Sequence, residues 1–571
     1  MTTMTLKNFT EEYTKILQGY TADQLRAILV SMANDVKPKF RSEFINNLLI
    51  KKQKNKQLII PSEEILNEIE SLIEVIESQS NEEPDWGEYN DDDDSLGEFS
   101  RFIPSLSYLF DKIETLFDYG QYDLARQAYQ ALFTVFEIED DYGRGICLYD
   151  IEDLDRDEVR ARYLRSIYLS EKPDNRVKSI LETMNQFARS DYTARPTLQD
   201  IINISVDPLP EFLAFLTQWI QITQKKPEPQ FDAWFREAMF LSEGAKGLEK
   251  IAKSEGAKRP RVYIDWIKAL IDSNDYSKAW DAIRYTLEQL PRNQPIRAAI
   301  GDLKVLCGEQ LKNEEMVSDG KWLSFEAKPD LSKLIDLYYQ AKPSERQILM
   351  QQAAEIIKTY KQKISGYDSG KQWETDSIET PSFLNNSLLM HAYLLSNQLE
   401  QAFKLAQEGQ SLGWSSADNP QSLFVAYCLA QTVCQVIKKL PISLRTFLNE
   451  ILNNSHGMYC CDELHNQLIT KIEEVYQEMM FASNVIPNKM NSWCIMAAEK
   501  RISAIVSNQH RGAYDRAASL TVACTDALKC IKPLEAVKFF EGIKNKFPRH
   551  SAFQAELREH VARFNATVHY E

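Results

Sequence analysis

Apolar residues recur along most of the chain at the three- and four-residue spacing of a helix with one buried face. In residues 62–77 the isoleucines at positions 65, 69, 73 and 76 follow this spacing, which predicts an amphipathic helix. Thr21 and Gln24 have the spacing of a capping box, so we expect a helix to begin there, after a short N-terminal tail. The pattern as a whole predicts an all-α protein.

A short motif recurs at four predicted corners between helices. It runs from Gly or Asn through a bulky residue to Ala, and it begins at Gly120, Asn274, Asn397 and Gly512. Gly and Asn can adopt the left-handed conformation that ends a helix, and a small Ala lets the next helix pack closely. These corners are typical of tetratricopeptide-like hairpins, but their spacing is irregular, so we expect a degenerate α-solenoid in two parts joined by a polar linker.

Composition divides the chain into five expected segments. They are an N-terminal helical segment (1–76), an acidic disordered loop (77–98), a helical-repeat domain (99–362), a linker (363–382) and a C-terminal helical domain (383–571). The acidic loop has ten acidic residues and no basic one, and such a dense group of carboxylates stays solvated. The linker is polar and contains glycine over nearly twenty residues, which is long for a loop inside one domain.

The length, composition and net charge of the chain argue against several kinds of partner. The chain has 571 residues, of which 44% are hydrophobic, and a formal net charge of -17. This charge argues against direct binding to nucleic acid, because phosphate contacts need a basic surface. No apolar run approaches the length of a membrane span, and the start lacks a signal-peptide pattern. The nine cysteines are an odd number, which fits free thiols in a reducing compartment. We expect a cytoplasmic protein with no membrane partner.

The residues that usually carry catalysis do not form a motif. G-x-S-x-G and H-E-x-x-H are both missing, and every histidine lies at or after His391, so two-thirds of the chain lack the commonest general base. Asp153, Asp155 and Asp157 suggest a calcium loop, but Glu158 stands where that loop needs Gly. We expect these acids to form the first turn of a helix instead. The sequence thus predicts a protein that is not an enzyme and binds no cofactor.

One group of residues has ligands that suit zinc. His456 and Cys460, and likewise Cys461 and His465, are one helical turn apart, and thiolates with imidazoles are typical zinc ligands. Adjacent cysteines diverge by about 100° on a helix, so the four side chains cannot converge from one regular helix. We therefore expect no metal there. The alternative is a zinc-dependent enzyme with a dispersed site.

Two sets of residues are candidates for binding a protein partner. The first lies in the acidic loop, which is either a solvated linker or a nucleic-acid-mimicking strip for a basic partner: Trp86, Asp91, Asp92, Asp93 and Asp94. The second consists of Tyr122, Tyr276 and Trp280, which either line a groove of the solenoid or belong to the core. Solenoid grooves bind extended segments or helices through such aromatic surfaces.

Three stretches of the C-terminal region carry a family resemblance. Trp493–Ala498, His510–Ala518 and Phe547–Phe553 resemble the helical-repeat tail of bacterial proteins of the SWIM zinc-finger class, and residues 21–44 are similar to a helical segment of the same group. The zinc finger itself, C-x-C with a distant C-x-H, is absent. The resemblance therefore implies the helical tail and no metal-dependent DNA binding.

The chain as a whole also resembles the accessory helical protein of type III-E CRISPR systems in length, helical organisation, two-part layout and lack of catalytic motifs. That resemblance implies two protein partners, a caspase-like protease that cleaves the chain and a sigma factor. It assigns no scissile bond. Together these features predict a non-enzymatic bacterial interaction module, a regulator or effector in stress response or in CRISPR-type antiviral defence.

Overall fold

The computed structural model describes most of the chain, and every regular element in the described part is helical. The described residues are 4–35, 62–80, 97–140, 143–190, 195–226, 228–364, 381–382, 384–414, 419–454, 462–480 and 485–566. The predicted all-α fold of helical hairpins is confirmed. Residues 81–96 of the expected acidic loop and 365–380 of the expected linker lie outside the described residues.

The chain divides into two compact units, residues 1–251 and 252–571. The division falls inside the stretch 99–362 that the sequence assigns to one helical-repeat domain. The first unit contains α1 (Leu6–Gln18), α2 (Ala22–Asp35), α3 (Ser62–Ser80), α4 (Ile103–Asp118), α5 (Tyr122–Phe133), α6 (Arg156–Ser170), α7 (Pro173–Ser190), α8 (Leu198–Asn203), α9 (Phe212–Thr223), α10 (Pro229–Glu243) and the start of α11 (Ala245–Glu255).

The second unit contains the remaining helices. They are α12 (Arg261–Asp272), α13 (Tyr276–Gln289), α14 (Arg297–Gln310), α15 (Glu314–Ala327), α16 (Leu331–Gln340), α17 (Arg346–Ile364), α18 (Asn386–Leu395), α19 (Leu399–Glu408), α20 (Pro420–Ile437), α21 (Ile442–Asn454), α22 (Asp462–Met480), α23 (Asn488–Ser507), α24 (Tyr514–Ile531), α25 (Pro533–Lys546) and α26 (Ser551–Ala566). In the part of the chain that the structure describes, no helix combines the length and the apolar character that crossing a bilayer requires.

Each unit has its own apolar core. In the first unit Phe133 contacts both Tyr163 and Phe187, with ring centroids 5.5 and 5.2 Å apart. In the second unit, α20 is buried on every side from Pro420 to Cys434, as expected of a helix that is apolar all round. One core cluster of this unit extends from Phe325 to Leu557 and thus includes residues before and after the expected linker.

Five corners between helices share one backbone geometry. A residue in the left-handed conformation ends the helix, and the N–H of the next residue donates to the carbonyl five positions earlier, as in a Schellman motif. The left-handed residues are Gly120, Asn274, Lys312, Asn397 and Gln509. The prediction is confirmed at three corners and wrong at the fourth, because Gln509 and not Gly512 is left-handed there. The corner at Lys312 carries neither Gly nor Asn at that position and was not predicted.

Two predicted helix starts are also confirmed. At α2, the Thr21 N–H donates to Gln24 Oε1 over 2.9 Å, and the Gln24 N–H donates to Thr21 Oγ1 over 3.4 Å. At α6, the Asp155 carboxylate accepts from the backbone N–H groups of Asp157 and Glu158. The acids near residue 155 therefore begin a helix, as expected, because carboxylates stabilise the N-terminal turn.

Candidate functional site

The helix α1 carries a continuous apolar stripe. Its start is capped by Thr5, and from there Phe9, Tyr13 and Ile16 follow one another at the spacing of a single helix face. Tyr20, just beyond the end of the helix, continues the same register. We call Phe9, Tyr13, Ile16 and Tyr20 the α1 stripe.

The α1 stripe is exposed. Its four side chains are 42–54% accessible, and none of the thirteen residues of α1, all of them described, is buried. The rings of Phe9 and Tyr13 stack on each other with centroids 5.9 Å apart, while Leu6 packs at the edge of the first unit's core. A contiguous exposed apolar face on an amphipathic helix marks a surface that binds an apolar partner.

The opposite face of α1 has both signs of charge. Lys7, Glu11 and Lys15 lie opposite the stripe. Glu12 lies at the edge of the stripe, one turn from Phe9 and from Ile16, and the formal charges of these four residues cancel. Helices that lie on anionic lipid surfaces are instead rich in Lys and Arg on the polar face. The charged residues of α1 therefore do not follow the basic pattern of a lipid-binding helix.

A polar cleft lies elsewhere in the first unit, between α6 and the start of α8. It encloses about 180 Å³ and adjoins a more open depression along the first turn of α6. Its lining consists of Asp157, Arg160, Ala161, Leu164, Arg195, Pro196, Thr197 and Asp200. The guanidinium of Arg160 is buried, lies over the Phe187 ring and is 3.4 Å from Asp157.

Carboxylates beside this cleft hold helix ends together. Glu237 on α10 accepts from the N–H groups of Leu198 and Gln199 at 3.0 and 2.8 Å, at the start of α8. Burial raises the pKa of Glu237 to about 7, although the two N–H groups favour its charged form. Burial also raises the pKa of Asp200, opposed by its bonds to Thr197. Both carboxylates therefore cap the start of α8, and Glu237 also holds α10 against α8.

Most of the predicted partner-binding and metal-binding residues cannot be placed. Trp86 and Asp91, Asp92, Asp93 and Asp94 lie outside the described residues, and so do His456, Cys460 and Cys461. His465 lies in α22, but its side chain is outside the described part. The acidic strip, and the expected absence of metal at His456, Cys460, Cys461 and His465, therefore stay predictions.

The three remaining candidates make contacts within their own units. The half-buried ring of Tyr122 lies edge-on to Phe117 at 5.5 Å. In the second unit, Tyr276 donates its hydroxyl to Asn274 Oδ1 over 2.9 Å. Trp280 lies beneath two cations, with Lys304 Nζ 5.4 Å from its ring centroid and the Arg284 guanidinium 5.8 Å away. Each aromatic ring thus supports a corner or a helix contact, and their role in a groove stays a prediction.

Several of the described cysteines belong to the core of the second unit. Cys428, Cys434 and Cys524 are buried on helices, whereas Cys530 is half-buried. Burial raises the pKa of Cys434 and of Cys524 above the ordinary thiol value. Since the thiolate is the reactive form, these side chains are inert core residues near neutral pH.

The α1 stripe was not predicted, because the residues before Thr21 were expected to form a tail. The sequence did carry a signal for it, because Phe9, Tyr13, Ile16 and Tyr20 repeat at intervals of four, three and four residues.

Comparison of the chain with family models, with curated proteins and with solved structures finds no match.

Proposed function

We propose that this chain is a non-enzymatic protein-interaction module that places the α1 stripe in an apolar groove of a protein partner. The observation that carries the proposal is the exposure of all four stripe residues, three of them on one face of a capped helix and Tyr20 just beyond its end. Helix-in-groove recognition uses anchors at this i, i+4, i+7 spacing. The balanced charge of α1 as a whole supports a protein groove over a lipid surface.

The stripe offers enough apolar area to contribute to affinity. Complete burial of a large apolar side chain is worth about 1.5–3 kcal/mol. The four stripe residues are about half exposed, so their remaining burial contributes on the order of 3–6 kcal/mol. Association itself costs at least about 4 kcal/mol, so the partner must add contacts beyond the stripe. Placing a charge on the stripe should still abolish capture, because a buried unpaired charge costs more than the lost apolar contact.

The identity of the partner is a finer proposal. The resemblance to the accessory protein of type III-E CRISPR systems supports a sigma factor as the partner and a caspase-like protease that acts on the chain. Binding to a sigma factor and cleavage by a protease would both fit a cytoplasmic regulator or effector in a bacterium. The acidic residues 91–94 and the group at 456–465 supply the competing proposals, a nucleic-acid-mimicking binder and a zinc-dependent enzyme.

The test is recovery of the partner with matched variants of the full chain. Tagged protein is expressed at native level in its host, cross-linked, recovered and quantified by mass spectrometry. Phe9→Asp/Ile16→Asp places charges on the stripe, whereas Glu11→Gln/Lys15→Gln changes the opposite face of the same helix. The tagged chain alone is also analysed by sedimentation, which detects self-association.

We expect one protein to be recovered with wild type and with the opposite-face variant, and to be reduced at least tenfold with the stripe variant. Equal recovery with all three proteins would overturn the role of α1. Recovery of no protein with wild type would overturn the interaction module itself. A sigma factor or a protease among the proteins whose recovery falls with the stripe variant would support the finer proposal.

A further inference from the structure

Three potential metal ligands meet in the second unit. Asp515 lies on α24, and Glu556 and His560 lie on α26. One carboxylate oxygen from each acid and a ring nitrogen of the histidine all lie within 4.8 Å of one another. His560 Nε2 is 2.7 Å from Asp515 Oδ1. We call these three residues the α24–α26 cluster.

The fold holds the cluster on rigid elements. Glu556 and His560 are one helical turn apart and therefore project from the same face of α26. Beside them, the Phe553 ring lies edge-on to Tyr514 at 6.0 Å and fixes the start of α26 against the start of α24. A site carried by packed helices keeps its ligand geometry better than one carried by loops.

Burial makes this cluster different from an ordinary surface ion pair. His560 is only 5% exposed, whereas the Asp515 side chain is 63% exposed and Glu556 is half-buried. The imidazole thus directs Nε2 from the protein interior toward two carboxylates at the surface. One side of the cluster stays open to solvent, which provides a path for an ion.

The surrounding charge favours a cation. Glu450 on α21 lies near the cluster, where its carboxylate interacts electrostatically with Asp515, Arg516 and His560. The described charges near the cluster thus include three carboxylates, one arginine and one histidine. Arg516 also contacts the Trp414 ring, 6.0 Å from its centroid. A divalent ion at the cluster would relieve the repulsion among the carboxylates.

We propose that Asp515, Glu556 and His560 form a binding site for a divalent transition-metal ion, with Zn²⁺ as the best match. Calcium and magnesium take oxygen ligands, whereas an imidazole beside carboxylates suits zinc and its neighbours, among which zinc binds strongly. Zinc bonds of about 2.0–2.2 Å place ligand atoms about 3.4 Å apart in a tetrahedron. The 2.7 Å pair needs to open by only about 0.7 Å to accept the ion. Water would supply the fourth ligand.

This site is independent of His456, Cys460, Cys461 and His465, the group at which the sequence predicts no metal, because the two share no residue. It also contains no sulfur, and Co²⁺ substituted for zinc reports that difference. A site of nitrogen and oxygen ligands gives Co²⁺ no thiolate charge-transfer band, whereas a cysteine site does. The spectrum therefore identifies which group binds the ion.

The experiment measures zinc binding by the full-length chain. Purified protein is treated with EDTA, transferred to chelator-free buffer and titrated with Zn²⁺ by calorimetry, with Mg²⁺ as the control ion. Glu556→Gln removes one ligand at a half-buried position where folding is readily kept, and His560→Ala removes the imidazole. Glu559→Gln changes an exposed acid of the same helix, and Cys461→Ser tests the competing group.

We expect wild type to bind one equivalent of zinc and to unfold at a higher temperature when it is bound. Glu559→Gln and Cys461→Ser should behave like wild type, whereas Glu556→Gln should bind at least tenfold more weakly. The proposal is overturned if wild type binds no zinc, if Glu556→Gln binds as tightly as wild type, or if Cys461→Ser abolishes binding. In those cases the Asp515–His560 contact is a structural hydrogen bond between α24 and α26.

Discussion

Gly301 and Gly320 bring α14 and α15 into backbone contact. A Cβ atom added at Gly301 would lie 2.7 Å from the Gly320 carbonyl oxygen, and one added at Gly320 would lie 2.9 Å from the Gly301 carbonyl oxygen. Neither distance is reached by real Cβ atoms, so only glycine fits at both positions. The close contact of the two helices therefore depends on two residues that normally weaken a helix.

Gly320→Ala should destabilise the second unit by about 1–3 kcal/mol, because the new methyl group forces the two helices apart. In an open helix position the same change usually stabilises by up to about 1 kcal/mol. Gly542 in α25 is such a position, because among the described residues an added Cβ would meet nothing within 4 Å beyond its own turns of helix, and Gly542→Ala is the control. Thermal unfolding should move in opposite directions for the two variants, and a rise in both midpoints would contradict the packing described here.

The corner residues give a second prediction. Gly120 has φ of 73°, and a side chain in the left-handed region costs about 1–2 kcal/mol. Gly120→Ala should therefore lower the unfolding midpoint of the first unit. Lys312 has φ of 54°, and Lys312→Gly should relieve the same strain at the corner between α14 and α15. If both substitutions destabilise equally, the left-handed geometry is not what the corners require.

Local signals in the sequence account for the helices and for most of the corners. The isoleucine spacing of α3 and the capping box at Thr21 act within a few residues, and they predict the correct element. The corner at Gln509 shows the limit, because tertiary packing imposes the left-handed conformation on a residue that does not prefer it. The sequence motif therefore predicts the left-handed residue at Gly512, three positions after the residue that adopts this conformation.

The α24–α26 cluster could not be predicted from sequence, for a different reason. Asp515 and His560 are 45 positions apart, and only the packing of α26 on α24 brings them together. Glu556 and His560 alone are an acid and a histidine one turn apart, which is a common pattern on helices. The α1 stripe, in contrast, is a purely local pattern and was open to prediction.

Arg165 on α6 gives a third prediction. It is 1% exposed and donates to the carbonyl oxygens of Ile201, at 2.8 Å, and Asp207. Arg165→Met keeps the apolar stem but leaves both carbonyls without this donor, and it should destabilise the first unit by about 2–4 kcal/mol. Arg156→Met changes an exposed arginine of the same helix and should shift the urea midpoint little. Equal effects would mean that the buried guanidinium is not the stabilising group.

Glu237 gives a prediction about pH. Its pKa rises from an ordinary 4.5 to about 7 in the folded protein, so the folded state binds a proton more tightly than the unfolded chain between these two values. The stability that this proton contributes is fully present below about pH 4.5 and is lost as pH rises toward 7. Over that window Glu237 should lower the free energy of unfolding of the first unit by at most about 3 kcal/mol.

The measurement compares urea unfolding of wild type and Glu237→Gln at several pH values from about 4.5 to about 7.5. Gln keeps the shape of the side chain and one acceptor for the N–H groups of Leu198 and Gln199 but carries no titrating proton. The difference between the two proteins should therefore favour wild type most at low pH and shrink as pH rises. Glu243→Gln, at an exposed position of the same helix, controls for loss of a surface charge. A difference that grows with pH would instead mean that the two N–H groups outweigh burial and lower the pKa of Glu237.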